Sequence, residues 1–190
     1  MLIPHTRTRA IRLRGFTLLE LMITVALVGV VTTIAVPSFG TLITNTRIST
    51  KASALHTALY QARTHAITHH EIVTVCAAAD ASMTECEPNR HANMNWRYGW
   101  ILYADANGNN RLDSSDQLIR TYDGDDGVRV TFNQRGRLRF FADGHARSAG
   151  FYVCSANSEK EAYIRLLHTG RARTSRKLNK KQRSRCLSSS

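Results

Sequence analysis

The sequence predicts an α+β protein in which one long N-terminal helix precedes an antiparallel β-sheet. The chain is apolar from residue 16 to 39 and then carries apolar residues at helical spacing to about residue 70. Beyond that point the apolar runs are short, rich in β-branched and aromatic residues, and separated by turn residues. A single helix followed by consecutive short strands is the order expected for a helix packed across an antiparallel sheet.

The first element is the apolar run from Phe16 to Phe39, which is 24 residues long. As a helix it would measure roughly 36 Å, enough to cross the hydrocarbon core of a bilayer. Four arginines and no acidic residue precede it, so the positive-inside rule predicts a cytoplasmic N-terminus and an extracytoplasmic C-terminal domain. Glu20 lies inside the run, where a carboxylate is costly unless it has a partner or lies near the interface.

The second half of the helix is predicted by an apolar stripe. Its members are spaced alternately four and three residues apart, as on the core-facing side of an amphipathic helix: Ile48, Ala52, Leu55, Leu59, Ala62 and Ala66. This spacing predicts a helix that continues to about His70.

Eight short runs after the helix predict the strands of the sheet. The segment 77–96 shows no recognisable pattern. The predicted strands are Ile72–Cys76, Arg97–Tyr103, Gln117–Tyr122, Val128–Phe132, Leu138–Phe141, Phe151–Cys154, Ala162–Leu167 and Arg171–Thr174.

The positive charge of the chain is concentrated at its two ends. Four of the 26 Lys and Arg residues precede Gly15 and eight follow Thr169, so the 14 that remain between them balance the 14 acidic residues. The formal net charge of +12 is therefore local to the ends. A basic segment of this kind favours a polyanionic partner such as nucleic acid, and we expect the last residues, 176–190, to form a mobile basic tail.

The residues around Gly15 resemble the leader of type IV pilins and type II secretion pseudopilins. The matching string is Arg14-Gly15-Phe16-Thr17-Leu18-Leu19-Glu20-Leu21-Met22, and Pro37 stands where these proteins have a helix-kinking proline. The resemblance implies that prepilin peptidase cleaves between Gly15 and Phe16 and that Phe16 is N-methylated. It also implies that Glu20 pairs with the N-terminal amine of a neighbouring subunit, which would offset the burial of its carboxylate.

The soluble part resembles one subgroup of this family, the FimT/GspH-like minor pilins. The resemblance implies a type IV pilin-like fold with a leader (1–15), a transmembrane helix (16–39), a globular domain (40–175) and a basic tail (176–190). It also implies a single-pass inner-membrane protein with a periplasmic domain, incorporated into a pilus or pseudopilus beside other major and minor pilins. The matching residues are Trp100-Ile101-Leu102-Tyr103, Asp105-Ala106-Asn107-Gly108-Asn109, Phe132 to Gly136, Phe151-Tyr152-Val153-Cys154 and Gly170-Arg171-Ala172-Arg173.

The Gly170–Arg173 string resembles the Gly-Arg-x-Arg motif linked with DNA binding in the FimT group. This resemblance implies a minor pilin that binds extracellular double-stranded DNA without sequence preference, for uptake in natural transformation. The alternative is a structural GspH-like pseudopilin of a type II secretion system or pilus tip, which binds no nucleic acid. The first hypothesis assigns phosphate contacts to Arg171 and Arg173 first, because a guanidinium binds a phosphate bidentately, and then to Arg176, Lys177, Lys180, Lys181, Arg183 and Arg185.

Four cysteines on the oxidising side of the membrane predict disulfide bonds. Three pairings are possible. We favour Cys76 with Cys86, which closes a local loop, and Cys154 with Cys186, which ties the basic tail to a strand.

Two patterns are compatible with metal binding, but simpler structures are favoured. Asp105, Asn107, Asn109, Asp113 and Asp116 follow a calcium-loop spacing, although the turn glycine is displaced, so a hairpin with Asx turns is favoured.

His65 and His69 share a helix face but lack a matching acid or cysteine, so a solvated helix end is favoured over a zinc site.

Arg135, Arg137 and Arg139 alternate along a predicted strand and would extend an anion-binding surface only if that strand lies near the tail. No catalytic motif is present, and we expect no enzyme, metal or cofactor.

Overall fold

The structure is a computed structural model that describes residues 16–88, 91–175 and 177–188, without the side chains of residues 34–38. The chain forms two units, residues 1–40 and 41–190. The first helix, α1, extends over Leu18–His69. Its N-terminus is capped by the Thr17 hydroxyl, which accepts a hydrogen bond of 3.2 Å from the Glu20 amide.

The apolar side chains at the start of α1 are exposed within the first unit. Phe16 is 81% exposed and Leu18 is 78% exposed. The hydroxyls of Thr24, Thr32 and Thr33 donate to backbone carbonyls three residues earlier, so the helix satisfies these polar groups by itself. Among the described residues, no helical stretch combines the length and the apolar character that membrane crossing requires.

Nine strands occur in the described part of the second unit, and they form two antiparallel sheets. The strand order is β4-β3-β1-β6 in the first sheet and β2-β5-β7-β8-β9 in the second sheet. The strands are β1 (Val73–Ala77), β2 (Met94–Asn95), β3 (Gly99–Ala104), β4 (Gln117–Asp123), β5 (Arg129–Phe132), β6 (Leu138–Phe140), β7 (Ala149–Cys154), β8 (Ala162–Leu166) and β9 (Ala172–Ser175).

The core of this unit lies between the two sheets and the part of α1 that belongs to it. All six residues of the predicted apolar stripe are at most 5% exposed, which confirms that helix face. An aromatic cluster of Trp96, Phe132 and Phe151 fills the region beside β5 and β7, with ring centroids 4.7 to 5.3 Å apart. The α+β prediction is confirmed.

Each of the eight predicted strands is present, with shifted ends. The strand predicted from Arg97 begins at Gly99, because Gly99 donates to the Trp96 carbonyl at 3.1 Å and adopts a φ of +105°, which forms a turn before the strand. Strand β2 lies in the segment 77–96, for which the sequence predicted no element.

The C-terminal segment contains a second helix, α2, over Lys180–Ser188. The expectation of a mobile tail is therefore wrong for these residues. Asn179 and Gln182 cap the helix reciprocally, since each side-chain oxygen accepts a hydrogen bond from the other residue's amide at 2.8 to 2.9 Å. The pattern Asn-x-x-Gln could have indicated this helix from sequence.

Both disulfide bonds match the favoured pairing. Cys76 is bonded to Cys86, and Cys154 is bonded to Cys186. No free cysteine occurs among the described residues. The second bond joins α2 to β7, which explains why the segment is ordered against the second sheet.

Candidate nucleic-acid interface

The hairpin between β8 and β9 presents the Gly-Arg-x-Arg residues. The Leu167 amide donates to the Arg171 carbonyl at 2.9 Å, and the Gly170 amide donates to the Leu167 carbonyl at 2.9 Å. Gly170 has a φ of +72°, and a Cβ atom at this position would lie 2.0 Å from the Gly144 carbonyl oxygen. Both the conformation and the close approach therefore require glycine here.

Helix α1 fixes the tip of this hairpin. The Arg63 Nε donates to the Gly144 carbonyl and to the Thr169 carbonyl, both at 3.2 Å. One guanidinium thus connects the core helix to two neighbouring loops. Arg171 consequently extends from a constrained loop, and its position requires less ordering on ligand binding than a mobile tail would.

Arg165 in β8 lies directly opposite Arg173 in β9. Both side chains are exposed, as is Arg171. Within the described residues, none of the three forms an ion pair with a carboxylate at 4.0 Å or less. Like charges directly opposite each other on a sheet are destabilising, so this arrangement favours an anionic ligand that neutralises both guanidinium groups. Arg165 has no signature in the sequence, because only strand register brings it to Arg173.

Tyrosines adjoin this arginine group on the second sheet. Tyr163 in β8 stacks on Tyr152 in β7 with ring centroids 5.5 Å apart. Its ring lies over Gly150, where a Cβ atom would come within 2.7 Å of the Tyr163 Cε2 atom. Partial burial raises the pKa of the Tyr163 hydroxyl, so the phenol stays neutral and adds no negative charge beside the arginines.

Helix α2 packs on the same sheet. Its Cys186 forms a small cluster with Tyr152 and Cys154, against which Leu178 and Leu187 pack. Arg183 pairs with Glu161 at 2.7 Å and also donates to the Ser158 carbonyl at 3.0 Å.

The remaining basic residues of the segment differ in exposure. Arg183 is held by protein groups, whereas Lys177, Lys180 and Lys181 are exposed and Arg185 is half-buried. Arg176 lies outside the described residues. Three lysines are therefore available to a ligand, and Arg183 serves to fix α2.

Comparison with protein families identifies the chain. The family model described as Type II transport protein GspH matches residues 51–170, more than half of the chain. The chain belongs to the GspH family. A second model, the prokaryotic N-terminal methylation motif, matches residues 12–36 of this GspH-family chain. The type IV pilin and pseudopilin membership expected from the leader and the strands is confirmed. No curated protein sequence is significantly similar to the chain.

Two crystal structures of the type IV minor pilin FimU from Pseudomonas aeruginosa PAO1 share the fold of this GspH-family chain. One has a TM-score of 0.50 and 17% identity, and the match covers 67% of this chain and 91% of FimU. The other has a TM-score of 0.52 at the same identity and covers 68% and 89%, respectively. The likeness confirms the type IV pilin-like fold.

The arginines at the start of β6, Arg139 within the strand and Arg137 just before it, have a different role from those of the hairpin. Arg137 and Arg139 donate to the carbonyls of Asn110 and Gly108 in the loop that follows β3. Arg139 also lies 3.7 Å from the buried carboxylate of Asp105. These two arginines bind a loop of the first sheet, so they do not extend the surface of β8 and β9.

The loop with the calcium-like spacing is held by its own hydrogen bonds. The Asp116 carboxylate accepts from the Ala106 and Asp113 amides, both at 3.0 Å. The Ser115 hydroxyl, followed by its amide and the Asn109 and Asn107 amides, lowers the pKa of Asp113 well below its usual range. The three carboxylates of this described loop do not converge within 4.8 Å of one another. The hairpin with Asx turns is therefore the better description.

Three predicted residues at the N-terminus concern processing and assembly. Gly15 lies outside the described residues. Phe16 is exposed, and Glu20 is exposed in the first turn of α1. The proposed cleavage, methylation and pairing at these positions remain predictions.

Proposed function

We propose that this GspH-family minor pilin or pseudopilin binds double-stranded DNA outside the inner membrane, for uptake in natural transformation. The observation that carries the proposal is the Arg165–Arg173 pair beside Arg171: all three are exposed, and none of them forms an ion pair with a carboxylate of the described residues. Lys177, Lys180 and Lys181 add exposed positive charge in the adjoining segment. These residues form the proposed DNA surface.

The chemistry of the proposed DNA surface fits phosphate contacts rather than base reading. Arginines grip phosphate oxygens bidentately, and phosphate contacts orient a protein on DNA without sequence information. Neutralisation by DNA would also remove the repulsion between Arg165 and Arg173. Binding should therefore be strongly salt-dependent and indifferent to sequence.

The N-terminal segment supplies the proposed location. Cleavage after Gly15 by prepilin peptidase and N-methylation of Phe16 would leave the apolar run 16–39 as an inner-membrane anchor, with the globular domain in the periplasm. The exposed apolar side chains from Phe16 to Val31 and the match to the methylation motif support this proposal. In the assembled pilus or pseudopilus, Glu20 would pair with the N-terminal amine of a neighbouring pilin.

Substitution of the two motif arginines tests DNA binding. The full chain in detergent is titrated into a fluorescent random-sequence duplex, and anisotropy is followed over a range of salt concentrations. The double variant Arg171→Gln with Arg173→Gln should bind roughly 10-fold more weakly, equivalent to about 1.4 kcal/mol. Its slope of log K against log salt should be about 2 units shallower, because each phosphate contact contributes about 0.9.

A matched control removes the same charge from the other sheet. Arg111→Gln with Arg120→Gln takes two exposed arginines from the first sheet and its loop. This control should retain most of the affinity and the salt slope. Equal losses in the two double variants would mean that net charge alone attracts DNA, and this result would overturn the proposed surface.

A second candidate function is a structural subunit of a type II secretion pseudopilus. The observation that favours it is the family model itself, which describes a type II transport protein over residues 51–170. On this alternative the motif variant would leave DNA affinity unchanged. A strain that lacks the protein should then fail to secrete a type II substrate. Supplying the intact protein to that strain should restore secretion.

A further inference from the structure

The C-terminal end of α1 folds an acidic residue back against two histidines. The helix ends at His69, His70 adopts a φ of +55°, and the Glu71 amide donates to the Ala66 carbonyl at 3.3 Å. This six-residue hydrogen bond is the closing bond of a Schellman motif. It reverses the chain, so that Glu71 lies beside the last turn of the helix.

Three potential ligand groups converge at this position. His65 Nε2 lies 2.7 Å from Glu71 Oε1, and the His65 and His69 rings stack with centroids 4.0 Å apart. The ligand atoms of the three residues all lie within 4.8 Å of one another. The expectation that these histidines lack a matching acid is wrong, because Glu71 supplies that acid; His69 is exposed, whereas the His65 side chain is only 19% exposed.

The hydrogen bonds define which ring nitrogens can bind a cation. The His69 Nδ1 lies 3.1 Å from the His65 carbonyl oxygen, which can only accept, so Nδ1 carries the proton. Neutral His69 then has a free lone pair on Nε2. A ring proton held by a backbone carbonyl is the arrangement that orients metal-binding histidines in proteins.

We propose that His65, His69 and Glu71 bind a divalent transition-metal ion, with Zn²⁺ as the best match. Two imidazoles and one carboxylate are a known zinc ligand set that leaves a fourth position open. The ion would replace the proton between His65 Nε2 and Glu71 Oε1, and His65 would take its proton on Nδ1 instead. Tetrahedral bonds of 2.0–2.1 Å separate ligand atoms by roughly 3.3 Å, so only small side-chain movements are needed.

The surroundings favour this metal class and allow access. Imidazole nitrogens prefer zinc, copper and nickel, whereas calcium and magnesium prefer oxygen ligands alone. His65 and His69 line a cleft of about 360 Å³ together with Tyr60 and Ile119. A bound ion would connect the end of α1 to Glu71, two positions before β1, so it should also stabilise the fold.

Cobalt and zinc titrations of the full chain test the site. The chain is purified in detergent without a metal-affinity tag or reducing agent, stripped with chelator, and titrated with Co²⁺ and then Zn²⁺. We expect one equivalent of Co²⁺ with the visible bands of a tetrahedral site, displacement by Zn²⁺, and a melting temperature several degrees higher with Zn²⁺. His69→Gln and Glu71→Gln should each weaken Co²⁺ binding by at least an order of magnitude.

His145→Gln is the matched control. His145 contacts Asp143 and its ring lies 5.4 Å from that of His168, so it represents another place where an ion could bind. This variant should bind Co²⁺ as the unmodified chain does. Absence of a tetrahedral spectrum at millimolar Co²⁺, or equal affinity in the His69→Gln variant, would overturn the proposal. His69 is exposed, so its replacement should leave the fold intact, and the melting temperature of the metal-free variant checks this.

Discussion

Arginines on the two sheets of the globular unit have different surroundings. Arg139 in β6 and Arg137, immediately before that strand, donate to loop carbonyls, and Arg139 lies beside the buried Asp105 carboxylate. In the β8–β9 hairpin, Arg165 and Arg173 face each other, and no carboxylate of the described residues lies within ion-pair distance of them. The first pair completes the fold, whereas the second pair adds repulsion to it.

This difference shows that basic composition alone does not indicate a binding surface. An arginine whose guanidinium is satisfied by the protein has little to gain from a ligand, while one that faces a like charge has much to gain. Substitution in the two groups should therefore affect two different properties of the protein. Loss of a β6 arginine should affect stability, and loss of a hairpin arginine should affect DNA affinity.

The largest expected effect is that of Arg139→Ala. The Asp105 side chain is fully buried, and its carboxylate lies 3.7 Å from the Arg139 guanidinium. Removal of one partner leaves a buried charge uncompensated, which typically costs about 3–5 kcal/mol, and the partial exposure of Arg139 places this pair at the low end. Urea unfolding of the full chain in detergent, followed by tryptophan fluorescence, should show this loss.

The control for this prediction is Arg120→Ala in β4. Arg120 is exposed and its guanidinium lies 5.2 Å from the Tyr122 ring centroid, without a carboxylate partner among the described residues. Its loss should change the free energy of unfolding by no more than about 0.5 kcal/mol. If Arg139→Ala and Arg120→Ala unfold at similar urea concentrations, the structural role assigned to Arg139 is contradicted.

The fold was largely predictable because its signals are local. The stripe from Ile48 to Ala66 follows helical spacing, and β-branched runs bounded by turn residues indicate strands. Strand β2 escaped prediction because two residues carry no periodicity. Helix α2 escaped prediction because its charge suggested a mobile tail, although Asn179 and Gln182 form a capping pair.

The candidate sites were predictable only in part, because they depend on contacts between elements. The Gly170 turn and the exposure of Arg171 and Arg173 follow from a short local motif. The role of Arg165 depends on the β8–β9 register, and that of Glu71 depends on the reversal of the chain at His70. Neither contact has a signature in residue spacing.

Arg165→Gln should change the free energy of unfolding less than Arg139→Ala does, and in the opposite direction. Relief of the like-charge pair with Arg173 should raise the free energy of unfolding by about 0.2–1 kcal/mol. The same change removes a phosphate contact, so DNA affinity should fall and the salt slope should become about 0.9 units shallower. Unfolding and anisotropy titrations of one protein preparation measure both quantities. A loss of stability instead would make Arg165 a structural residue like Arg139.

The smallest expected effect on stability is that of Asp113→Asn, in the loop to which Arg137 and Arg139 donate hydrogen bonds. Hydrogen bonds from Ser115, Asn109 and Asn107 lower the pKa of the exposed Asp113 carboxyl well below its usual range. A carboxyl with a lowered folded-state pKa stabilises the protein above its unfolded pKa, and this contribution disappears as the pH falls through the folded pKa. Asp113→Asn should therefore lower the melting temperature slightly at neutral pH.

The pH dependence of the Asp113→Asn variant distinguishes charge from shape. Its asparagine retains one accepting oxygen, so the two chains differ mainly in the charge at this position. The difference in melting temperature should be constant near neutral pH and should narrow as the pH falls below about 4, where the unfolded carboxyl becomes protonated. A difference that persists unchanged into strong acid would mean that the second carboxylate oxygen, rather than the charge, holds the loop. The same scan of Arg173→Gln should show no narrowing, because no carboxylate of the described residues is paired with that arginine.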